Sequence, residues 1–284
     1  MTADHPASRP PACDAHIHVL DSRFPGRGAW EAFAVPPGLT LDDYLAVRQQ
    51  FATQRAVIVQ SKVYATDNSC LLDALEQLGG DGRGIAVVPA DIPGPELRHL
   101  HRAGVRGIRF SLWNTSNAVV DADMIEPLAR RVADLGWHIQ VHLSGEQMVR
   151  HAELLTRIPC PLVLDHMARL PPAEGVAGPA FDVVRRLLDT GRTWVKLSGP
   201  YLNSLDPVLD TERSEYPHAT RVAQLLVRAA PDRLVWGSDW PHVTERQRQP
   251  DDAVLAALLP TWAPDPVVRA RILRQNPAAL YDFG

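Results

Sequence analysis

The chain has 284 residues, of which 45% are hydrophobic and 22% charged, with a formal charge of −4 and three cysteines. These values exclude a disordered chain, a disulfide scaffold and a strongly basic nucleic-acid or membrane-surface protein, because each needs a compositional extreme that is missing. A chain this long buries well over half of its unfolded surface, so a single domain over 1–284 is expected to fold without covalent staples.

The opening Met1-Thr2-Ala3-Asp4-His5-Pro6 has no apolar signal-peptide core, and no apolar run approaches the length of a membrane span. Cys13, Cys70 and Cys160 are far apart and form no C-x-x-C pair, so reduced thiols and a cytoplasmic setting are expected. Short β-branched runs recur at 12–19, 56–60, 85–89, 105–110, 138–142, 162–165, 194–197 and 234–236. Each is followed by a polar turn and an amphipathic stretch. Met124, Ile125, Leu128, Val132 and Leu135 share one helical face, as do Val222, Leu225, Leu226 and Ala229. The alternation predicts an α/β fold, a closed parallel (β/α)8 TIM barrel. A doubly wound sheet is the alternative. It calls for a glycine-rich phosphate loop after the first strand, where His16-Ile17-His18-Val19 stands instead. The connections 21–40 and 200–218 are long, and both follow strand ends of the kind where barrel enzymes carry substrate loops.

His16 and His18 alternate on the first strand and so share a side, where they can hold a divalent ion or one substrate oxygen. A pair of core histidines satisfied by neighbours is the plain alternative. By the same alternation Asp14 is expected beside them, with Cys13 against the helix layer. Further polar clusters end other strands: Arg109-Phe110, Gln140-Val141-His142, Asp165-His166 and Ser238-Asp239. A buried carboxylate among histidines is costly unless paired, so such groups gathered at strand ends point to a reaction site. Arg109 suits a bidentate clamp on a substrate carboxylate, or else a rim salt bridge. Arg106, at odd spacing from it, faces the other way. Ser61 suits a substrate oxygen or a turn hydrogen bond. Trp113, Tyr201 and Trp30 suit the walls of a pocket for a ring-shaped substrate, or packing. Lys196 is a charge partner for Asp239 or a rim ion pair. His242 orients the last loop, and His99 and His101 read as solvated.

Asp14-Ala15-His16-Ile17-His18, Asp165-His166 and Trp236-Gly237-Ser238-Asp239-Trp240-Pro241-His242 together resemble the amidohydrolase-related family of the amidohydrolase superfamily. The likeness is closest to the branch of pyrone-dicarboxylate and sugar lactonases. Tyr64-Ala65-Thr66-Asp67-Asn68, Val195-Lys196-Leu197-Ser198-Gly199-Pro200 and Asn276-Pro277-Ala278-Ala279-Leu280-Tyr281 extend it over almost the whole chain. The resemblance implies that His16, His18 and His166 are catalytic histidines and that Asp239 is the aspartate that deprotonates water. It also puts His142 at the position of a fifth-strand metal histidine. Arg109 stands near the position where binuclear members carry a bridging Lys or Glu, and a guanidinium repels metal, so a binuclear site is not expected.

The expected function is hydrolysis of a carboxylated lactone, with the carbonyl polarised by His16, His18 and His166 or by a metal they help hold. One Zn2+ or Mn2+ on His16, His18, His142 and Asp239 is as consistent with these residues as no metal, since the pyrone lactonases of the branch are metal-free. Ser61, Arg109, Trp113 and Tyr201 are the expected substrate contacts. Segments 112–115 and 200–203 lack the arginines a pyrone dicarboxylate calls for, so a less charged lactone fits better. The alternatives are a mononuclear-metal decarboxylase, a lactone isomerase in which Asp239 shuttles protons, and a non-catalytic barrel. The last is weakened because all four histidines and the aspartate are present. A small molecule is the expected partner, not nucleic acid or membrane, with homo-oligomerisation left open.

Overall fold

The computed structural model describes residues 10–115, 118–171, 177–204, 206, 210–211, 213, 215–245 and 248–284. The opening residues read for a signal peptide, and His5, lie outside them. Eight parallel strands run in chain order around one sheet: β1 Cys13–Ile17, β2 Arg55–Val59, β3 Gly82–Ala86, β4 Val105–Ser111, β5 His138–His142, β6 Leu162–Leu164, β7 Thr193–Leu197 and β8 Leu234–Trp236. The seam closes where Ile17 bridges to Trp240, with His18 N donating to Trp240 O at 2.8 Å and Asp239 N to His16 O at 2.9 Å. The expected (β/α)8 barrel is therefore the observed fold. Among the described residues no helix is long and apolar enough to cross a membrane.

Local chemistry explains the surrounding helices. Thr40 and Asp43 form a capping box at the start of helix Leu41–Val47, and Ser144 and Gln147 another at helix Gly145–Arg150. Proline opens helices Pro179–Asp189 and Pro217–Ala229, where its missing N–H is no loss. Helix Ile125–Ala133 buries Ile125, Leu128 and Val132, as the periodicity predicts. In Pro217–Ala229 the buried face is Ala219, Val222, Ala223 and Leu226, which leaves out Leu225 and Ala229. The third strand begins ahead of the run seen in the sequence. Gly82 and Gly84 carry no apolar signal because Leu78 and Leu75 pack at 2.7 and 2.8 Å from where their Cβ atoms would stand. His101 is not simply solvated, since its Nδ1 accepts from Trp137 Nε1 at 3.0 Å.

Inside the barrel, Cys13, Ala15, Val57, Val59, Ile85 and Val163 pack together, with Tyr281 and Phe283 in the same cluster. The expected orientation of Cys13 and Asp14 is thus reversed. The register of β1 shifts between Asp14 and Ile17, which breaks strict alternation. Cys13 faces inward, and Asp14 faces β8 and the helix layer. Asp14 Oδ1 accepts from Ser238 N at 2.9 Å, and Oδ2 accepts from Ser238 Oγ at 2.6 Å and Tyr44 Oη at 3.3 Å. Burial raises its pKa to about 6 against these hydrogen bonds. Asp14 fastens the turn that carries Asp239 to the first strand.

Candidate active site

The histidines gather at the C-terminal mouth of the barrel, where strand ends converge. The rings of His18 and His16 lie 5.0 Å apart between centroids, His16 and His166 4.7 Å, and His166 and His142 4.9 Å. His18 Nδ1 faces the Val59 carbonyl at 2.8 Å, which assigns its proton to that nitrogen and leaves the Nε2 lone pair open. That lone pair meets His16 Nε2 at 3.3 Å. Burial drives the pKa of both rings down, to about 4 for His18, so both are neutral near neutral pH.

Asp239 Oδ1 stands 3.5 Å from His16 Nε2 and 3.9 Å from His18 Nε2, and its Oδ2 is 3.9 Å from His166 Nδ1. Burial works against its charge, but His166, His16, His18 and the Tyr201 hydroxyl outweigh it and hold the carboxyl below the usual range. Asp239 adopts a left-handed φ of 64°, and His166 to Arg169 are all left-handed. Such conformations are sparsely populated and persist where the surrounding structure over-determines them. Gly199 makes the close approach feasible. Its φ is +55°, and a Cβ there would lie 3.0 Å from His166 Nδ1 and 3.1 Å from Asp239 Oδ2.

Beneath this layer Asp165 organises a buried ion cluster. Its Oδ2 accepts from Arg109 Nε at 3.0 Å and Gln140 Nε2 at 3.1 Å, while Oδ1 lies 3.4 Å from His16 Nδ1. Lys196 is fully buried, donates to the Ala15 carbonyl at 2.8 Å and lies 3.9 Å from Asp165 Oδ1. Its partner is therefore Asp165, and neither of the expected roles, Asp239 partner or rim ion pair, describes it. Burial lowers its pKa to about 8.

A cavity of about 370 Å³ opens above His18, His166 and Asp239, and Arg109, Ser61 and Trp113 also line it. Ser61 also caps a turn, accepting from Val63 N at 3.3 Å. Tyr201, expected as a substrate contact, is not on the lining. It is buried, and its hydroxyl lies 2.6 Å from Asp239 Oδ2 and 3.0 Å from His242 Nδ1. His242 Nε2 in turn meets Asp252 Oδ1 at 2.9 Å. Tyr201 thus orients Asp239 from behind. We expect Tyr201→Phe to lower kcat about 10–100-fold, the value of a hydrogen bond to a charged group, with KM little changed. A KM effect as large as the kcat effect in steady-state kinetics would instead make Tyr201 a substrate contact.

The expected metal set does not gather as one group. His16 Nε2, His18 Nε2 and Asp239 Oδ1 are mutually separated by 3.3–3.9 Å. Such spacings match the roughly 3.4 Å tetrahedral edge around an ion with bonds of about 2.1 Å. His16, His166 and Asp239 form a further possible ligand group. His142 instead groups with Asp165 and His166. Its Nδ1 faces Ser111 Oγ at 3.3 Å and Arg109 Nη2 at 3.5 Å, and its Nε2 faces Arg169 Nη1 at 3.5 Å. Sequence reasoning misses Arg169, which lies over the Trp113 ring at 4.2 Å, because no motif marks the turn that carries it.

The family description Amidohydrolase matches residues 13–283. The chain belongs to the amidohydrolase family. Among its relatives is the 2-pyrone-4,6-dicarboxylate hydrolase of Comamonas testosteroni, 32% identical, with 95% of this chain and 90% of the relative covered. The 4-sulfomuconolactone hydrolase of Rhizobium radiobacter is 33% identical, with 95% and 89% covered. A solved structure from Agrobacterium tumefaciens superposes with a TM-score of 0.85 at 26% identity, covering 98% of both chains. In this amidohydrolase the matched region contains every site residue described above.

Proposed function

We propose that this amidohydrolase opens a carboxylated lactone by adding water. The observation that carries the reading is Asp239, ionised and buried, held by Tyr201 at the floor of a cavity that Arg109 also lines. The curated relatives named above, both lactone-ring hydrolases by name, support the same reaction class.

The substrate carboxylate pairs with the Arg109 guanidinium, whose Nε stays fixed to Asp165. Ser198 Oγ lies 3.0 Å from His166 Nδ1; with that hydroxyl as the donor, the His166 proton stands on Nε2 and polarises the lactone carbonyl. Asp239 takes a proton from water as the water oxygen bonds to the carbonyl carbon. The ring C–O bond then breaks, and Asp239 returns the proton to the leaving alkoxide, giving a hydroxy acid. His18 does not donate to the carbonyl in this scheme, because its proton is committed to Val59. The converging Nε2 atoms of His16 and His18, with Asp239 Oδ1, would hold one divalent ion such as Zn2+ or Mn2+. When bound, the ion supplies Lewis-acid polarisation of the carbonyl.

A panel of lactones followed by pH indicator, with mass analysis of products, tests the reaction. A product heavier by one water is expected. An isomer of unchanged mass, or loss of carbon dioxide, would replace the hydrolase reading. Elemental analysis tests the ion: about one equivalent in the native protein, lost in His18→Ala and kept in His142→Ala. Full activity with negligible metal would leave the protein's own residues to perform the whole reaction.

A further inference from the structure

The cavity has two chemically different walls, and the strand order sets how they face. Arg109 and Ser111 on β4 and His142 on β5 form a cationic, hydrogen-bonding wall, to which Asn114 and the Trp113 ring are added just after β4. Leu20, Trp30, Phe33, Val63, Leu202 and Val243 form an apolar wall, from segments that follow β1, β2, β7 and β8. Those four strands are consecutive around the barrel because Ile17 bridges to Trp240 across the seam. The apolar side chains therefore occupy one arc of the mouth, and β4 and β5 sit at the centre of the opposite arc. Trp30 and Phe33 brace each other edge to face, with centroids 5.5 Å apart. Lys62, which also follows β2, belongs to the Arg109 side, since the two share a small recess with Gln60 and Ser111. His18, His166 and Asp239, which follow β1, β6 and β8, line the same cavity.

We propose that the substrate is an amphipathic lactone, with its carboxylate toward β4 and an alkyl or aryl substituent toward the arc of β7, β8, β1 and β2. This rests on the lactonase reading above. Apart from His18, Asp239 and Lys62, the lining on the arc of β7, β8, β1 and β2 is apolar save for the hydroxyls of Ser61 and Thr244, among the described residues. An apolar substituent suits it better than a second carboxylate, which would lose hydration there. A cavity of about 370 Å³ falls within the roughly 300–1,000 Å³ of ligand sites, enough for a ring and an attached chain of several carbons.

The test is a series of γ-lactone carboxylates that differ only in an unbranched alkyl substituent, from none to hexyl. kcat/KM is expected to rise about fourfold per methylene until the cavity is full, then level off. Phe33→Asp is expected to flatten that slope. A flat or falling series, or the same slope in Phe33→Asp, overturns the proposal, while hydrolysis of the unsubstituted lactone still upholds the lactonase reading. If no member is opened, that reading fails, and calorimetric titration with the matching lactams reads the cavity alone. Kd falling about fourfold per methylene then supports an apolar-substituent site. Kd independent of chain length overturns it.

Discussion

Asp239→Asn is expected to lower kcat by about 10²–10⁴-fold, the range of a positioned general base, with the fold intact. The amide has nearly the shape of the carboxylate, and Tyr201 can still donate to its oxygen. What is lost is the capacity to take a proton from water. Circular dichroism and the urea midpoint check the fold, and steady-state kinetics on an opened lactone check the loss. Near-wild-type turnover would remove Asp239 from the mechanism. The pH profile gives a second reading. Because the Asp239 carboxyl titrates below its usual range, it stays ionised through mildly acidic pH. Burial places His18 at about 4, so falling pH adds a proton there and closes the lone pair that faces His16. In the ion-loaded protein kcat/KM should therefore drop as pH falls through about 4, since the ligand set loses the His18 lone pair.

Arg109→Met is expected to act on both stability and binding. Asp165 is fully buried, and Arg109 is its closest cationic partner, at 3.0 Å, against 3.9 Å for Lys196. Removing one member of a buried pair leaves an uncompensated charge and destabilises by about 3–5 kcal/mol. The substrate carboxylate loses its clamp as well, worth about 1.5–3 kcal/mol, or roughly 10–150-fold in KM for charged lactones. Neutral lactones should change far less. Urea unfolding separates the two effects, since it reads Asp165 without substrate. An unchanged midpoint would mean that Lys196 and Gln140 suffice for Asp165. Equal losses on charged and neutral lactones would confine Arg109 to a structural role.

The fold is legible in the sequence because each barrel strand is a short local signal. β-branched runs separated by amphipathic helices need no knowledge of distant partners, and β3, disguised by Gly82 and Gly84, begins furthest ahead of its run, at Gly82 rather than Ile85. His16, His18, His166 and Asp239 are legible for a related reason. They sit at strand ends, and a barrel brings all its strand ends to one mouth. The roles of Tyr201, Lys196 and Asp14 are decided only by the tertiary structure. Tyr201 meets Asp239 across 38 residues, Lys196 meets Ala15 across 181, and Asp14 meets Ser238 across 224. A sequence pattern says which face of a strand a side chain takes, but β1 breaks its own alternation between Asp14 and Ile17. Whether a polar side chain reaches the cavity or supports a group that does depends on such contacts between distant strands and loops, which local propensity does not encode.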